Sequence, residues 1–412
     1  MKILLVSNGI PPEKKGGTEI YTYTLAKHLA GRNLEVGIIA FSEKVKDKSI
    51  EFKREDNISI YTIGNKASRL NPIKRFKSTY FNKKLDTVIL KVINEFKPDL
   101  LHIQHLIKLS SGFLEKINIP YIVTLNDFWF ICPLIQMLKP SGILCDNSNP
   151  GNCMECIRQK YHLALTANLL IPFGVKLVRE RNKYLVNILN NANAVISPSF
   201  FLMDVHKKNG INNKNFKVLR YGLDIRRFIL PDIKKNTDKF KIIYIGSILP
   251  HKGLDILVKV FQKLKIKRNP ELHIYGYNGG DDKYFNTWAR TIPEENIFFH
   301  GAIDNTDVPK ILKQMNLLVV PSKWYENSPI IIYESYLSEL PFLVSDLGGM
   351  KELVEVTGAG AVFQVGDSSN LAENIKSIII QTEAFDFKPE FKNEININNH
   401  VIRLEELYNE LF

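Results

Sequence analysis

Short runs of apolar, largely β-branched residues alternate along this chain with longer segments in which apolar residues recur every three or four positions. The runs are typical of buried parallel strands, and the longer spacing is typical of helices that bury one face. Strands are predicted at Lys2–Ser7, Glu35–Ala40, Ile58–Ile63, Leu100–Ile103, Tyr121–Leu125, Ala194–Ser197, Lys241–Ile245, Glu271–Tyr275, Ile297–Phe299, Leu317–Val320 and Phe342–Val344. Strands that alternate with helices indicate an α/β fold with parallel sheets.

The alternation is interrupted once, near residue 220. There Val218–Asp224 is followed by a stretch rich in lysine, asparagine and aspartate, Asp232–Lys239. A chain of 412 residues is also long for one core. We predict two Rossmann-like, doubly wound domains at 1–218 and 219–392, with Ala194–Ser197 as the last strand of the first, and a final helix within 393–412.

The stretch Pro321–Gly349 joins two of the predicted strands and carries the most informative residues. Asn327 or Ser328 can cap a helix that begins at Pro329, where the missing proline N–H costs nothing, and that runs to about Leu340. Free N–H groups at the start of such a helix attract an anion. The stretch therefore predicts a βαβ unit with an anion site.

Two carboxylates flank that helix start, Glu326 in the loop and Glu334 in the second helical turn, and both can face one crevice. Two glutamates eight residues apart occur by chance in most chains and usually lie in solvent. The buried strand, the loop and the proline around this pair favour a binding site instead.

This stretch resembles the E-x7-E motif of the retaining glycosyltransferases of family 4, which have the GT-B fold, and the similarity extends over most of the chain. The resemblance implies two Rossmann-like domains that face a central cleft, and a C-terminal helix within 393–412 that crosses back to the N-terminal domain. It also implies that Glu326 contacts the hydroxyl groups of the donor sugar and that Glu334 contacts the nucleotide ribose. Contacts to the sugar and the diphosphate are implied for Asn327, Ser328, Pro329 and Ile330.

Two glycine turns lie where a phosphate would be bound in this family. Gly16 and Gly17 precede a predicted helix, and glycine lets the backbone approach a phosphate closely. In related transferases this segment lines the cleft, which implies contacts to the donor diphosphate or the acceptor. The second turn, GSILPHKG, resembles the family's G-R-L-x-x-x-K-G loop, whose arginine and lysine neutralise the diphosphate. Lys252 matches that lysine, and Ser247 stands at the arginine position.

The chain departs from the family pattern at two charged positions. A single cation at this loop weakens stabilisation of the departing UDP or GDP, and Arg220 is a candidate replacement on proximity in sequence alone. Asn126 stands where many relatives have a histidine, and asparagine can hydrogen-bond but cannot take a proton.

All four cysteines of the chain lie close together in a loop predicted at 128–160. Cys153 and Cys156 have the C-x2-C spacing of structural zinc sites, and Cys132 and Cys145 can complete a four-thiolate set. Free buried thiols and a redox disulfide are the alternatives, and a reducing compartment disfavours the disulfide. A subgroup of the family has a similar loop, with F-x-C-P before a C-x2-C pair.

The net charge of +12 is concentrated around one segment. Within Lys66–Lys84 basic and aromatic residues interleave: Lys66, Arg69, Lys74, Arg75, Phe76, Lys77, Tyr80, Phe81, Lys83 and Lys84. A basic amphipathic face can lie on anionic lipid. The alternative is a lysine-rich solvated surface. No recognised nucleic-acid-binding motif is present, so nucleic acid is not an expected partner.

The overall composition, 45% hydrophobic and 24% charged residues, is that of a soluble globular protein. The first apolar run, Ile3–Val6, is too short for a signal peptide, and no stretch approaches the ~20 apolar residues that a membrane span needs. We expect a cytoplasmic protein, located at the inner face of the cell membrane if the basic segment binds lipid.

Together these features predict a retaining, metal-independent hexosyltransferase that uses a UDP- or GDP-sugar and a saccharide or lipid-linked acceptor. Surface polysaccharide or glycolipid synthesis is the expected pathway. Glu326, Lys252 and Asn126 are the predicted catalytic residues. No cofactor is expected for catalysis, and the sequence contains no D-x-D triplet to hold a divalent cation. The alternative is a non-catalytic GT-B assembly protein, which the replaced arginine and histidine favour.

Overall fold

The computed structural model describes residues 1–14, 16–66, 72–161, 171–231, 239–264, 266, 270–290, 295–381 and 385–412. Within them the chain divides into two compact units, Met1–Leu223 together with Ile397–Phe412, and Asp224–Asn396. The predicted basic residue Arg69 and most of the predicted polar stretch, 232–238, lie outside the described residues.

The first unit is built on an eight-stranded sheet. Its strands are β1 Lys2–Ser7, β2 Glu35–Asp47, β3 Ile50–Glu55, β4 Ile58–Gly64, β5 Leu100–Ile103, β6 Tyr121–Thr124, β7 Ala194–Ser197 and β8 Phe216–Val218. Their order across the sheet is β3-β4-β2-β1-β5-β6-β7-β8, and β3 alone among them runs antiparallel to its neighbour. The central strand β1 is buried at five of its six residues, as a continuous apolar run in a parallel sheet requires.

The edges of this sheet differ from the sequence prediction. β2 continues past Ala40 to Asp47, and β3 pairs antiparallel with β4 although no strand was predicted there. Residues 51–55 of β3 are exposed, so no apolar run marks the strand. The prediction that Ala194–Ser197 is the last strand is wrong, because the short edge strand β8 follows it.

Helices cover the first sheet. They are α1 Gly17–Ala30, α2 Pro72–Lys77, α3 Lys83–Phe96, α4 Pro150–Lys160, α5 Ile171–Asn191 and α6 Phe200–Lys208. Side-chain caps define three of the helix starts: Asn82 accepts a hydrogen bond from the Leu85 N–H, Asn149 accepts one from the Gly151 N–H, and Ser199 accepts one from the Leu202 N–H.

The second unit is built on a six-stranded, fully parallel sheet. Its strands are β9 Lys241–Ile245, β10 Glu271–Tyr275, β11 Ile297–Gly301, β12 Leu317–Val320, β13 Phe342–Ser345 and β14 Gly360–Phe363. The spatial order is β11-β10-β9-β12-β13-β14. This is the Rossmann order 3-2-1-4-5-6, whose direction of winding reverses between β9 and β12. Ligands of such sheets bind outside the carboxyl ends of the strands at that reversal.

The helices of the second unit pack on both faces of its sheet. They are α7 Leu254–Lys263, α8 Asp282–Phe285, α9 Val308–Leu312, α10 Ile330–Leu337, α11 Gly349–Thr357, α12 Ser368–Gln381 and α13 Pro389–Glu394. The buried cluster joins strand residues such as Ile242 and Leu272 to Leu257 of α7 and Ile375 of α12.

The last helix, α14 Ile397–Asn409, belongs to the first unit. Its His400 ring lies 2.7 Å from the hydroxyl of Tyr21 on α1, and its Tyr408 hydroxyl lies 2.8 Å from the ring of His102 on β5. No helix in the described part of the chain is both long and apolar enough to cross a membrane.

Candidate active site

Two loops meet where the second sheet reverses its winding. One is the predicted glycine turn Gly246–Gly253 after β9, and the other begins at Pro321 after β12. The N–H of Lys323 donates to the carbonyl of His251 at 2.7 Å. Gly253 has a φ of +74°, and a Cβ there would lie 1.8 Å from the carbonyl oxygen of Pro321. Only glycine therefore allows the two loops to pack this closely.

Glu326 is the centre of a hydrogen-bonded cluster formed by these loops. Its Oε1 lies 2.6 Å from Lys252 Nζ and accepts from Trp324 Nε1 at 2.8 Å and Ser322 Oγ at 2.9 Å. The Lys252 ammonium also lies 4.9 Å from the centroid of the Trp324 ring, a cation–π contact. The loop after β9 thus supplies a cation to a carboxylate from the loop after β12.

The surroundings of Glu326 favour its ionised form. Burial by itself raises the pKa of the carboxyl, but the Lys252 ammonium and the hydrogen bonds from Trp324 and Ser322 outweigh it, and the pKa lies below its ordinary value. All three donors bond Oε1. Glu326 is therefore an anionic acceptor whose charge Lys252 balances.

Glu334, on α10, has different surroundings and is 5% exposed. The nearest cation, Arg227 Nη1, lies 4.0 Å from Glu334 Oε1. The Asn305 amide is oriented with its nitrogen toward Glu334. In this orientation Nδ2 donates to Glu334 Oε1 at 3.2 Å, and Oδ1 accepts from Arg227 Nη1 at 3.3 Å. Burial raises the pKa of Glu334 to about 7, and Arg227 opposes this only in part.

The helix that carries Glu334 is shorter than predicted. It begins at Ile330, with Pro329 in an extended conformation before it, and it ends at Leu337 instead of Leu340. The Ser328 hydroxyl bonds the Tyr333 hydroxyl at 2.5 Å, and no side chain caps the helix. The helix ends early because Glu339 adopts a left-handed φ of 54°.

A third loop braces the backbone beside Glu326. The N–H of Gly349, the first residue of α11, donates to the carbonyl of Glu326 at 2.8 Å. A Cβ on Gly349 would lie 1.7 Å from the carbonyl oxygen of Asn327. The turn at Gly348 and Gly349 therefore packs directly on the loop of Glu326.

The predicted site residues of the second unit thus form one constellation. Lys252 contacts Glu326, and Asn327, Ser328, Pro329 and Ile330 form the connection from Glu326 to the helix of Glu334. Ser247 lies in the same loop as Lys252, and its carbonyl accepts from the hydroxyl of Tyr244 at 2.9 Å. The roles assigned to these residues stay predictions.

The remaining predicted residues lie in the first unit. Gly16 precedes α1 and Gly17 is its first residue. The Asn126 amide is engaged at both ends, because Nδ2 donates to the Gln104 carbonyl at 2.6 Å and Oδ1 accepts from the Tyr221 hydroxyl at 2.7 Å. Arg220 is 4% exposed, and its predicted diphosphate contact stays a prediction.

Next to Asn126, an acidic and a basic side chain form a pair that the sequence pattern did not predict. His105 Nε2 lies 2.7 Å from Asp127 Oδ2. The Ile107 N–H donates to His105 Nδ1 at 2.9 Å, so the proton resides on Nε2 and is directed at Asp127. The four predicted cysteine ligands line a pocket farther along the same segment.

Sequence reasoning missed the groups that set the state of each glutamate. Trp324 and Ser322 lie within four residues of Glu326, so a search of that loop for hydrogen-bond donors could have found them. Arg227 and Asn305 lie far from Glu334 in the chain and carry no local signal.

The two-unit architecture is shared with proteins of known structure. The chain is similar to Anabaena HepE in complex with UDP and glucose, with a TM-score of 0.70 and 17% identity over 100% of both chains. An uncharacterized glycosyltransferase of Methanocaldococcus jannaschii is 21% identical over 87% of this chain and 84% of its own length. An uncharacterized 42.6 kDa protein in the cps region of Klebsiella pneumoniae is 22% identical over 86% of this chain and 88% of its own length. The fold is GT-B, as predicted.

The family follows from the profiles that match the two parts of the chain. The profile described as Glycosyltransferase Family 4 matches residues 15–227, and the one described as Glycosyl transferases group 1 matches residues 225–390. The chain belongs to glycosyltransferase family 4. The family inferred from the E-x7-E stretch is confirmed, and membership of a cysteine-containing subgroup stays a prediction.

Proposed function

We propose that this glycosyltransferase is a retaining, metal-independent hexosyltransferase that uses a UDP- or GDP-sugar. The observation that carries the proposal is the contact of 2.6 Å between Lys252 and Glu326 at the reversal of the second sheet. A second buried carboxylate, Glu334, lies on α10, the short helix that follows the loop of Glu326. The UDP and glucose bound by the similar HepE support a nucleotide-sugar donor.

In this proposal the bound donor contacts both Lys252 and Glu326 and replaces their contact with each other. The ammonium of Lys252 turns to the diphosphate, where it stabilises the negative charge that develops as the bond from the sugar to the phosphate breaks. Glu326, which is ionised, accepts hydrogen bonds from the sugar hydroxyls and orients the ring. Trp324 and Ser322 hold the carboxylate in place throughout.

The acceptor hydroxyl then attacks the same face of the sugar, so the new bond keeps the anomeric configuration. Its proton passes to the departing phosphate oxygen, because the amide of Asn126 cannot take it. Asn126 is instead a polar contact that orients donor or acceptor. Gly16 and Gly17 let the backbone approach the diphosphate, and Arg220 supplies the second cation in place of Ser247.

Glu334 binds the ribose of the donor in this proposal. A carboxylate accepts hydrogen bonds from two neighbouring hydroxyl groups, which is the pattern that a ribose presents. Its acceptor strength depends on ionisation, and Arg227 and Asn305 favour the ionised form. These two residues are therefore positioning residues for nucleotide binding.

The acceptor is a saccharide or lipid-linked saccharide of surface polysaccharide or glycolipid synthesis. The relative in the cps region of Klebsiella pneumoniae supports that pathway. Exposed lysines of the basic segment, among them Lys66, Lys77, Lys83 and Lys84, suit an electrostatic contact with anionic lipid. Tyr80 is buried and lies 5.8 Å from Tyr184, so the aromatic ring packs inward and charge carries the contact.

A panel of UDP-, GDP-, ADP- and TDP-sugars tests the donor by thermal shift, because a ligand that binds only the folded state raises Tm. We expect one nucleotide to raise Tm in the wild type and not in Glu334→Ala. Release of the free nucleoside diphosphate with a saccharide acceptor, and retention of the anomeric configuration by NMR, then test the reaction.

The competing function is a non-catalytic assembly protein, which Ser247 and Asn126 favour as replacements of an arginine and a histidine. Binding of a donor without nucleotide release against any acceptor would support that function. Co-sedimentation with vesicles that contain anionic lipid, compared with neutral vesicles, tests the membrane contact separately.

A further inference from the structure

The four cysteines are brought together by three segments of the first unit. Leu138 and Leu144 form an antiparallel bridge, and directly after it the Cys145 N–H donates to the Met137 carbonyl at 2.8 Å. Met137 itself lies in the turn that follows Cys132. The hairpin at 138–144 therefore places Cys145 beside the turn that follows Cys132.

The backbone after Cys132 forms a tight turn, in which the Ile135 N–H donates to the Cys132 carbonyl at 3.0 Å. Both Ile135 and Met137 adopt a left-handed φ, of 74° and 48°, to make this turn. Residues other than glycine rarely adopt such a conformation, so the surrounding structure holds this turn in place.

Cys153 and Cys156 come from α4, where a separation of three residues puts both sulfurs on one face. This face closes the pocket that Cys132 and Cys145 line, together with Pro133 and Asn147. Cys132 and Cys153 are 9% and 7% exposed. All four cysteines therefore line one small pocket, two of them buried and two partly exposed.

A buried cation lies beside this pocket. Arg181 of α5 is 1% exposed, donates to Asn182 Oδ1 at 3.1 Å and to the Trp129 carbonyl, and lies 5.6 Å from the Trp129 ring centroid. No carboxylate among the described residues lies within ion-pair distance of it. Its charge interacts with Cys132 and Cys153 and, more weakly, with Tyr80 and Asp127. Burying a cation that forms no direct ion pair is costly, so negative charge on the nearby sulfurs would help to offset that cost.

We propose that Cys132, Cys145, Cys153 and Cys156 bind one Zn²⁺ as four thiolates, and that this ion ties the hairpin, the Cys132 turn and α4 together. A four-thiolate zinc centre carries two negative charges, which the buried Arg181 offsets in part. Among the described residues no three histidine, cysteine or acidic side chains are yet spaced as ligands of one ion. Zinc binding therefore draws the four sulfurs toward a common centre and releases their protons.

The test begins with the metal content and thiol count of the full chain, purified with reductant and without chelator. We expect about one zinc per chain and almost no thiol that reacts with Ellman's reagent until a chelator is added, when four thiols react. Four reactive thiols in the metal-free purified protein, with no uptake of added Zn²⁺, would overturn the proposal. Thiols that appear only after reduction would also overturn it, in favour of disulfides.

Variants separate ligands from neighbours. Cys153→Ser and Cys156→Ser are expected to lose zinc, whereas Met154→Leu, between them on the same helical turn, keeps it. If the serine variants fail to fold, the wild type gives the same answer: chelator lowers Tm and added Zn²⁺ restores it. A Tm unchanged by chelator, with zinc removed, would show that the ion does not hold the loop.

Discussion

The two buried glutamates of the second unit are the same residue type on one short stretch, yet their surroundings drive their pKa values in opposite directions. Glu326 receives a cation at 2.6 Å and two further hydrogen bonds at the same oxygen. Glu334 has its nearest cation at 4.0 Å and one amide donor. The pKa of Glu326 lies below its ordinary value, and that of Glu334 is raised to about 7.

This difference shows that burial does not by itself define the charge of a carboxyl group. Desolvation acts on both groups, and the number and distance of the donors decide which form survives. Glu326 is therefore an anion at neutral pH, the form that its proposed contact with sugar hydroxyls requires. Glu334 changes protonation near neutral pH, so the nucleotide binding proposed for it should depend on Arg227, on Asn305 and on pH.

The largest expected effect on activity comes from replacing Lys252, whose ammonium pairs with Glu326. Lys252→Ala should lower kcat by about 10²–10³-fold, because in the proposed reaction this ammonium stabilises the charge of the leaving diphosphate. Lys323→Ala is the matched control, since Lys323 lies on the adjacent loop but pairs with Asp255 at 2.9 Å. Steady-state kinetics measures kcat for both variants. Equal losses of kcat would contradict the special role of Lys252.

Glu334→Gln tests the second glutamate through stability. Between its ordinary pKa of 4.5 and its folded pKa of about 7, the folded protein holds a proton that the unfolded chain releases. Ionisation of Glu334 therefore lowers the free energy of unfolding as pH rises through this window. The glutamine variant cannot ionise, so its free energy of unfolding does not fall for this reason. At pH 8 the variant should be more stable than wild type by about 3 kcal/mol, a margin that shrinks as the pH falls to 5.

Chemical denaturation across this pH range measures the difference, and Glu326→Gln provides the contrast. The pKa of Glu326 is lowered, so its ionised form stabilises the fold above its ordinary pKa and that stability is lost as pH falls below it. Glu326→Gln should thus be less stable than wild type at pH 8. The comparison fails if both variants shift stability in the same direction at that pH.

Gly349→Ala tests the third loop, which supports the backbone of Glu326 but not that of Glu334. A Cβ at 1.7 Å from the Asn327 carbonyl oxygen forces that backbone to move. We expect a loss of about 1–3 kcal/mol in the free energy of unfolding. Gly31→Ala is the control, because the nearest atoms to a Cβ there lie at 3.5 Å. A similar change in stability for both substitutions would show that the contact at Gly349 relaxes freely.

Arg227→Met should have the smallest effect and should act on donor binding. Without the guanidinium the pKa of Glu334 rises further, and the neutral carboxyl is a weaker acceptor for the ribose. We expect about a tenfold higher Kd for the nucleotide at pH 7, or ~1.4 kcal/mol, with partial recovery at pH 9. Arg226→Met is the control, since that exposed neighbour pairs with Asp224. Calorimetric titration that shows equal Kd values for both variants would exclude the link from Arg227 to Glu334.

Much of the architecture could be predicted because the relevant signals are local. Apolar runs such as Leu317–Val320 mark buried parallel strands, and the exposed strand β3 escaped prediction because it has no such run. The helix after Glu326 was predicted to be too long, since the left-handed turn at Glu339 has no glycine to mark it.

The sequence by itself determined the α/β alternation, the two glycine turns, the E-x7-E stretch and the grouping of the cysteines, because each depends on residues near one another in the chain. Only the tertiary structure decided which carboxyl is ionised. The donors to Glu334 come from Arg227 and Asn305, and Lys252 reaches Glu326 from another loop. Protonation depends on distances through space, and the folding of the sheet sets those distances between residues that are remote in sequence.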